Sequence, residues 1–141
     1  MSYITKQKFS LNDLLPPRDH KIVGIVEAEE YLAKLYQQYL SRHAYGVHIC
    51  SAVHLVGEFV YTTSPDLLVI NPDIFQKLDT LVGVIEDLIE AYPKLLIVTI
   101  GYNSEHEQLR QLMSAGIVSH LNRKLSRPQD LVIIVKSLLQ N

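Results

Sequence analysis

The chain has 141 residues, enough for one domain with a single sizeable core, and its 13 basic residues against 15 acidic ones leave a formal charge of −2. No polycationic stripe, zinc-finger spacing or aromatic RNA-binding motif is present, which argues against a nucleic-acid partner. The single cysteine, Cys50, excludes an internal disulfide, and within Val47-His48-Ile49-Cys50 it reads as a buried, inert thiol. No run approaches the roughly 18 apolar residues of a membrane span, and no cationic, apolar signal opens the chain. A cytoplasmic protein without a membrane partner is therefore expected.

Residues 1–20, which include Pro16-Pro17, show no convincing period and are expected to form an arm or linker ahead of a domain spanning 21–141. From Lys21 onward, short apolar runs alternate five times with helical segments. The strands are expected at Lys21–Val26, Val47–Cys50, Asp66–Ile70, Leu95–Ile100 and Ile117–Leu121. Their nearly continuous apolar character suits a parallel sheet covered on both faces.

The first helix carries Leu32, Leu35 and Tyr39 at three- and four-residue spacing, with His43 as a candidate extension of the stripe. The second is expected from Ser51 to about Thr62, with Val53, Val56 and Phe59 on its apolar side. Asp73-Ile-Phe-Gln76 resembles a capping box for the third helix, whose core face is Leu78, Leu81, Ile85 and Leu88; Tyr92-Pro93 ends it. Ser104-x-x-Glu107 is expected to cap the fourth, with Leu109, Leu112 and Met113 inward and Gly116 as its stop. Ser126-x-x-Gln129, with Pro128 in the first turn, opens the fifth, where Leu131, Ile134, Val135 and Leu138 face inward.

Right-handed crossovers between parallel strands then give an α/β, doubly wound (βα)5 flavodoxin-like sheet of order 2-1-3-4-5. Its crevice lies at the carboxyl ends of the strands, beside the switch point between strands one and three. Glu27-Ala28 and Asn71-Pro72 fall there.

Within this frame, "KIVGIVEAEEYLAKLYQQYL", "SPDLLVINPD", "YPKLLIVTIG" and "MSAGIVSHLNRKLSRPQDL" resemble, in residue type and spacing, the receiver domains of two-component response regulators. The resemblance covers roughly Lys21 to Gln140. It implies phosphoryl transfer from a histidine kinase to an aspartate after strand three, with acids after strand one holding Mg²⁺. It also implies a Thr or Ser after strand four and a Lys after strand five at the phosphoryl group, and an aromatic switch residue on strand five.

Mapped onto this chain, the phosphoacceptor position falls on Asn71 and the acidic pair on Glu27-Ala28. An amide does not readily attack phosphorus, and one carboxylate makes a poor Mg²⁺ site, so no cofactor is expected. The hydroxyl position is Thr99 if the following loop carries a two-residue insertion; counting back from Gly116 favours Ile100 or Gly101. The lysine position is Arg123 or Lys124, without the usual following proline, and either cation has Glu27 as a candidate partner across the crevice. His120 takes the switch position, as a pH sensor or as a half-buried, hydrogen-bonded histidine. Glu29 and Glu30 read as helix-dipole acids.

The resemblance is thus to an atypical receiver, or pseudo-receiver: a non-enzymatic module that binds a protein partner in signalling without phosphorylation. Two alternatives remain open, phosphoryl chemistry at another acceptor and a small-ligand sensor in the crevice. Asp73 and Asp66 are poor substitute acceptors, the first as a helix cap and the second at the far end of its strand. Receiver dimerisation by resemblance uses helix four, strand five and helix five, here Glu105, Gln108, Arg110, Gln111, Arg127 and Lys136. Residues 101–141 hold five Lys/Arg against three Asp/Glu, whereas residues 21–100 hold five against ten. That tail is a solvated face or a docking face. His43, His48 and His54 lack the close spacing of a zinc site, and neither a nucleophile elbow nor a phosphate-binding loop occurs.

Overall fold

The computed structural model describes residues 19–102 and 105–140, so residues 1–18 of the expected arm and Ser104 of the expected fourth cap lie outside the described residues. Five strands alternate with five helices: β1 (Ile22–Val26), α1 (Glu30–Ser41), β2 (Gly46–Cys50), α2 (Val56–Thr63), β3 (Leu67–Ile70), α3 (Leu78–Ala91), β4 (Leu96–Gly101), α4 (His106–Ala115), β5 (Ser119–Asn122) and α5 (Pro128–Leu139). All pairings are parallel and the order is β2-β1-β3-β4-β5. This is the doubly wound sheet that the alternating apolar runs imply.

The period of two along β3 explains why that strand is apolar throughout. Leu67 and Val69 join Val23, Ile25, Val98 and Ile100 beneath α1 and α5. Leu68 and Ile70 point the other way, into a core with Val26, Ile97 and the inner faces of α2, α3 and α4. A strand with two buried faces disfavours a polar residue that finds no hydrogen-bond partner before it leaves the sheet. The first polar side chains therefore come at the ends: Asp66, whose Oδ2 accepts from Ile22 N–H (2.8 Å), and Asn71 at the opposite edge.

Several helix details differ from the sequence expectation. In α1 the buried residues are Ala33, Tyr36 and Leu40, with Leu32, Leu35 and Tyr39 only half-buried. Two adjacent stripes both satisfy a 3.6-residue period, and contact with the sheet and α5 selects between them. His43 is exposed, because α1 ends at Ser41. The second helical segment starts later than expected, as a 3₁₀ turn over Val53–Leu55 that runs into α2.

Asp73 and Gln76 do not form a capping box. Pro72–Ile74 is a separate 3₁₀ turn, and α3 begins at Leu78 without a side-chain cap. In α5 the expected Ser126/Gln129 pair is replaced by Arg127 N–H donating to Asp130 Oδ2 at 2.7 Å, and Pro128 sits in the first turn as expected. Leu131 and Val135 are buried as expected, Ile134 and Leu138 only half-buried.

Among the strands the largest displacement is in β5, which spans Ser119–Asn122 instead of Ile117–Leu121. Gly116, at φ +127°, turns the chain out of α4, and Ile117 N–H bonds back to Leu112 O (3.2 Å), so Ile117 closes the helix before pairing starts. On α4 itself Leu112 is buried, Leu109 half-buried and Met113 53% exposed. Accordingly, Leu112→Ala should cost about 2–5 kcal/mol and Met113→Ala less than about 0.5 kcal/mol in urea unfolding. Equal costs would contradict this placement of α4.

Candidate functional site: a buried ion pair at the mouth of the sheet

β1 and β3 are neighbours in register, Val26 beside Ile70, so the residues that follow them emerge together at the carboxyl edge. Glu27 and Asn71 are those residues, and both are buried, with 2% and 5% of their surface exposed. Their backbones stay tied to the sheet, Glu27 N–H to Cys50 O (3.1 Å) and Asn71 N–H to Val26 O (3.0 Å).

A carboxylate held this deep is costly unless donors surround it. Glu27 has three donor groups. Asn71 Nδ2 reaches both oxygens (3.0 and 3.1 Å), Arg123 Nη2 lies 2.9 Å from Oε1, and Glu29 N–H donates to Oε2 (3.1 Å). The carboxamide is used from both ends, because Asn71 Oδ1 accepts from Asp73 N–H (2.8 Å) and caps the 3₁₀ turn. That network fixes the amide orientation. An aspartate at 71 would turn the Nδ2 donor into a second carboxylate oxygen about 3 Å from Glu27, a like-charge contact.

Arg123 supplies the compensating cation from the β5–α5 loop. Its backbone N–H is tied to Gly101 O (2.9 Å), and its side chain is 8% exposed. The guanidinium lies over the rings of Tyr36 (5.7 Å to the centroid) and Tyr102 (5.3 Å). Burial pulls its pKa down, but Tyr36 and Glu27 outweigh that and the group stays charged. Burial in turn raises the pKa of the Tyr36 phenol, against the pull of Arg123.

Lys124, the other sequence candidate, is exposed; its backbone N–H turns back to Asn122 Oδ1 (2.9 Å). Ala28 is exposed and brings no polar side chain. Glu29 precedes α1, and Glu30 pairs with Lys34 on its surface (2.8 Å).

Thr99 is fully buried inside β4, beside His120 in register. Its Oγ1 lies 2.7 Å from His120 Nδ1. Beyond it, Gly101 has no room for a side chain: an added Cβ would stand 2.8 Å from Asp73 Oδ2 and 3.0 Å from Pro72 Cδ. Asp73 Oδ2 in turn accepts from Tyr102 N–H (2.7 Å), which fastens the β3–α3 connection over the end of β4.

The donor set does not fit the Mg²⁺ ion that receivers hold between acids. Both Glu27 oxygens are taken by N–H donors, Asn71 turns its Nδ2 toward them, and a guanidinium occupies the adjacent space. Octahedral oxygen coordination has too few free ligands here. Among the described residues no group of three His, Cys, Asp or Glu forms a metal site. A small cavity of about 200 Å³ lies beside the mouth, lined by Pro72, Asp73, Phe75, Gln108 and Leu112. It is below the roughly 300 Å³ at which ligand pockets usually begin. Cys50 is buried, and burial raises its thiol pKa.

Of the expected interaction residues, Glu105, Arg110, Gln111, Arg127 and Lys136 are exposed and Gln108 is half-buried. Arg110 pairs with Glu107 (2.7 Å). Met113 (53%), Val118 (43%) and Ile133 (64%) are exposed apolar residues on α4, before β5 and on α5, a feature the sequence analysis missed. Tyr102, a wall of the Arg123 site, was missed as well. Its signal was slight: an aromatic residue directly after an apolar strand.

No family model matches the sequence, and no curated protein matches it. Solved structures do match. A response regulator from Thermotoga maritima superposes with a TM-score of 0.76 at 16% identity, over 86% of this chain and 99% of that one. The fold is that of a receiver domain. An orphan response regulator of H. pylori gives 0.77 at 12% identity over 88% and 100%. A putative pilus assembly protein from Burkholderia thailandensis gives 0.70 at 17% over 86% and 99%. Within this receiver fold, among the described residues, no helix is long and apolar enough to cross a membrane.

Truncating one member of the Glu27–Arg123 pair should be far worse than removing both charges. Arg123→Met should cost about 3–5 kcal/mol in urea unfolding, and adding Glu27→Gln should recover a large part of that. Additive losses in the double mutant would show that the two charges do not compensate each other.

Proposed function

We propose that the chain is an atypical receiver domain, a pseudo-receiver, that acts as a phosphorylation-independent protein–protein interaction module in signal transduction. It is not an enzyme and takes no Mg²⁺. The observation that carries this reading is the closed network at the mouth. Asn71 stands where a phosphoacceptor carboxylate would be needed, and its amide is committed to Glu27 and Asp73. Arg123 already neutralises Glu27, so the charge balance that a metal and a phosphoryl group would provide is built from side chains.

Other acceptors are less favourable. Asp66 bonds Ile22 N–H at the opposite edge of the sheet, and Asp73 is engaged by Tyr102 N–H. With chemistry removed from the mouth, binding falls to the surface. The α4–β5–α5 side is the face to test, because Arg110, Arg127 and Lys136 are exposed there, as are Met113, Val118 and Ile133. A second copy of the chain or a signalling protein is the partner.

Incubation with acetyl phosphate and Mg²⁺ should leave the intact mass unchanged; an adduct of about 80 Da, one phosphoryl group, would overturn the reading. Arg110→Glu with Arg127→Glu should weaken self-association in sedimentation velocity. Unchanged sedimentation of an associating protein would exclude this face.

A further inference from the structure

β5 is an edge strand, paired with β4 alone, and none of its four residues is fully buried. Leu121 packs against the core, and the polar side-chain tie from β5 to β4 is His120, whose Nδ1 meets the fully buried Thr99 hydroxyl at 2.7 Å. The other ring nitrogen, Nε2, is also buried and has no hydrogen-bond partner. A neutral imidazole tolerates this with one unmet polar atom. An imidazolium does not, because both nitrogens become donors and the new charge sits where Nε2–H has no acceptor.

The charged surroundings do not relieve that cost. From the β3–α3 connection, the Asp73 carboxylate favours the proton, but it is held by Tyr102 N–H at 2.7 Å. From β4 the ring meets only the neutral Thr99 hydroxyl, and among the described residues no other titratable group acts on it. Burial outweighs Asp73 and holds the His120 pKa below its ordinary 6.5.

We infer that His120 is a proton-operated latch on the edge of the sheet: neutral, it ties β5 to β4 through Thr99; protonated, the ring leaves the interior and loosens β5. Because the folded-state pKa lies below that of the unfolded chain, the latch contributes fully above pH 6.5 and is lost as pH falls through the lower folded value.

Imidazole NMR titration from about pH 8 to about pH 5, with amide exchange corrected for its intrinsic pH dependence, tests this directly. His120 should titrate below 6.5. Protection of Ser119–Asn122 should fall by up to about tenfold per pH unit between 6.5 and the folded-state His120 value and level off beneath it, while β1 and β3 keep theirs. His120→Phe should abolish the acid sensitivity of β5. Asp73→Asn, which retains an acceptor for Tyr102 N–H, should lower the His120 titration midpoint and carry the fall in β5 protection on to lower pH, with its onset unchanged. Protection of β5 that is independent of pH in the unmodified chain, or that falls equally in His120→Phe, overturns the inference, as does a His120 titration midpoint that Asp73→Asn leaves in place.

Discussion

A carboxylate almost completely removed from water governs the mouth of this sheet. Glu27 has 2% of its surface exposed, and an isolated charge at that depth would neutralise itself or unfold its surroundings. The cost of holding it there is offset because the chain brings it an arginine, a carboxamide and a backbone N–H from three places. The requirement runs outward from there. Residue 71 has to donate toward β1 and accept from its own loop, which a carboxamide does and an ionised carboxylate does not. Arg123 has to enter from the β5–α5 loop, which its backbone bond to Gly101 and the rings of Tyr36 and Tyr102 arrange. Gly101 has to stay small so that Pro72 and Asp73 can lie across the end of β4.

This arrangement adds side-chain bonds that join the carboxyl ends of β1 and β3 to the loop after β5. A pocket that receives phosphate and metal must keep charges unbalanced until the ligand arrives, because that imbalance drives binding. Here the balance is complete within the chain. The proposed turn from chemistry at the mouth to binding at a surface rests on this balance. The α4–β5–α5 side suits that role because it combines cations with exposed apolar side chains, whereas the mouth offers mostly satisfied polar atoms.

The (βα)5 order was legible because strand and helix patterns differ in period, and five buried apolar runs leave few alternative topologies. Local capping was less legible. Asp73 reads as a helix cap by spacing, yet tertiary contact gives its carboxylate to Tyr102 N–H, and the helix starts five residues later. Met113 fits the apolar stripe of α4, but that helix packs on one narrow side and leaves it in solvent. The start of β5 was misplaced because Ile117 is apolar enough for a strand, while its N–H is spent on closing α4.

By itself the sequence determined the sheet order, the location of the crevice and the residue types that meet there, since these follow from periodicity, chain direction and the fixed hand of the crossovers. It also narrowed the partner of Glu27 to two neighbouring cations, without deciding between them. Only the tertiary structure chose Arg123, set Tyr36 and Tyr102 beside it, and joined Thr99 to His120. Those choices depend on how far each side chain reaches across strands separated by dozens of residues, and a one-dimensional pattern carries no such distances.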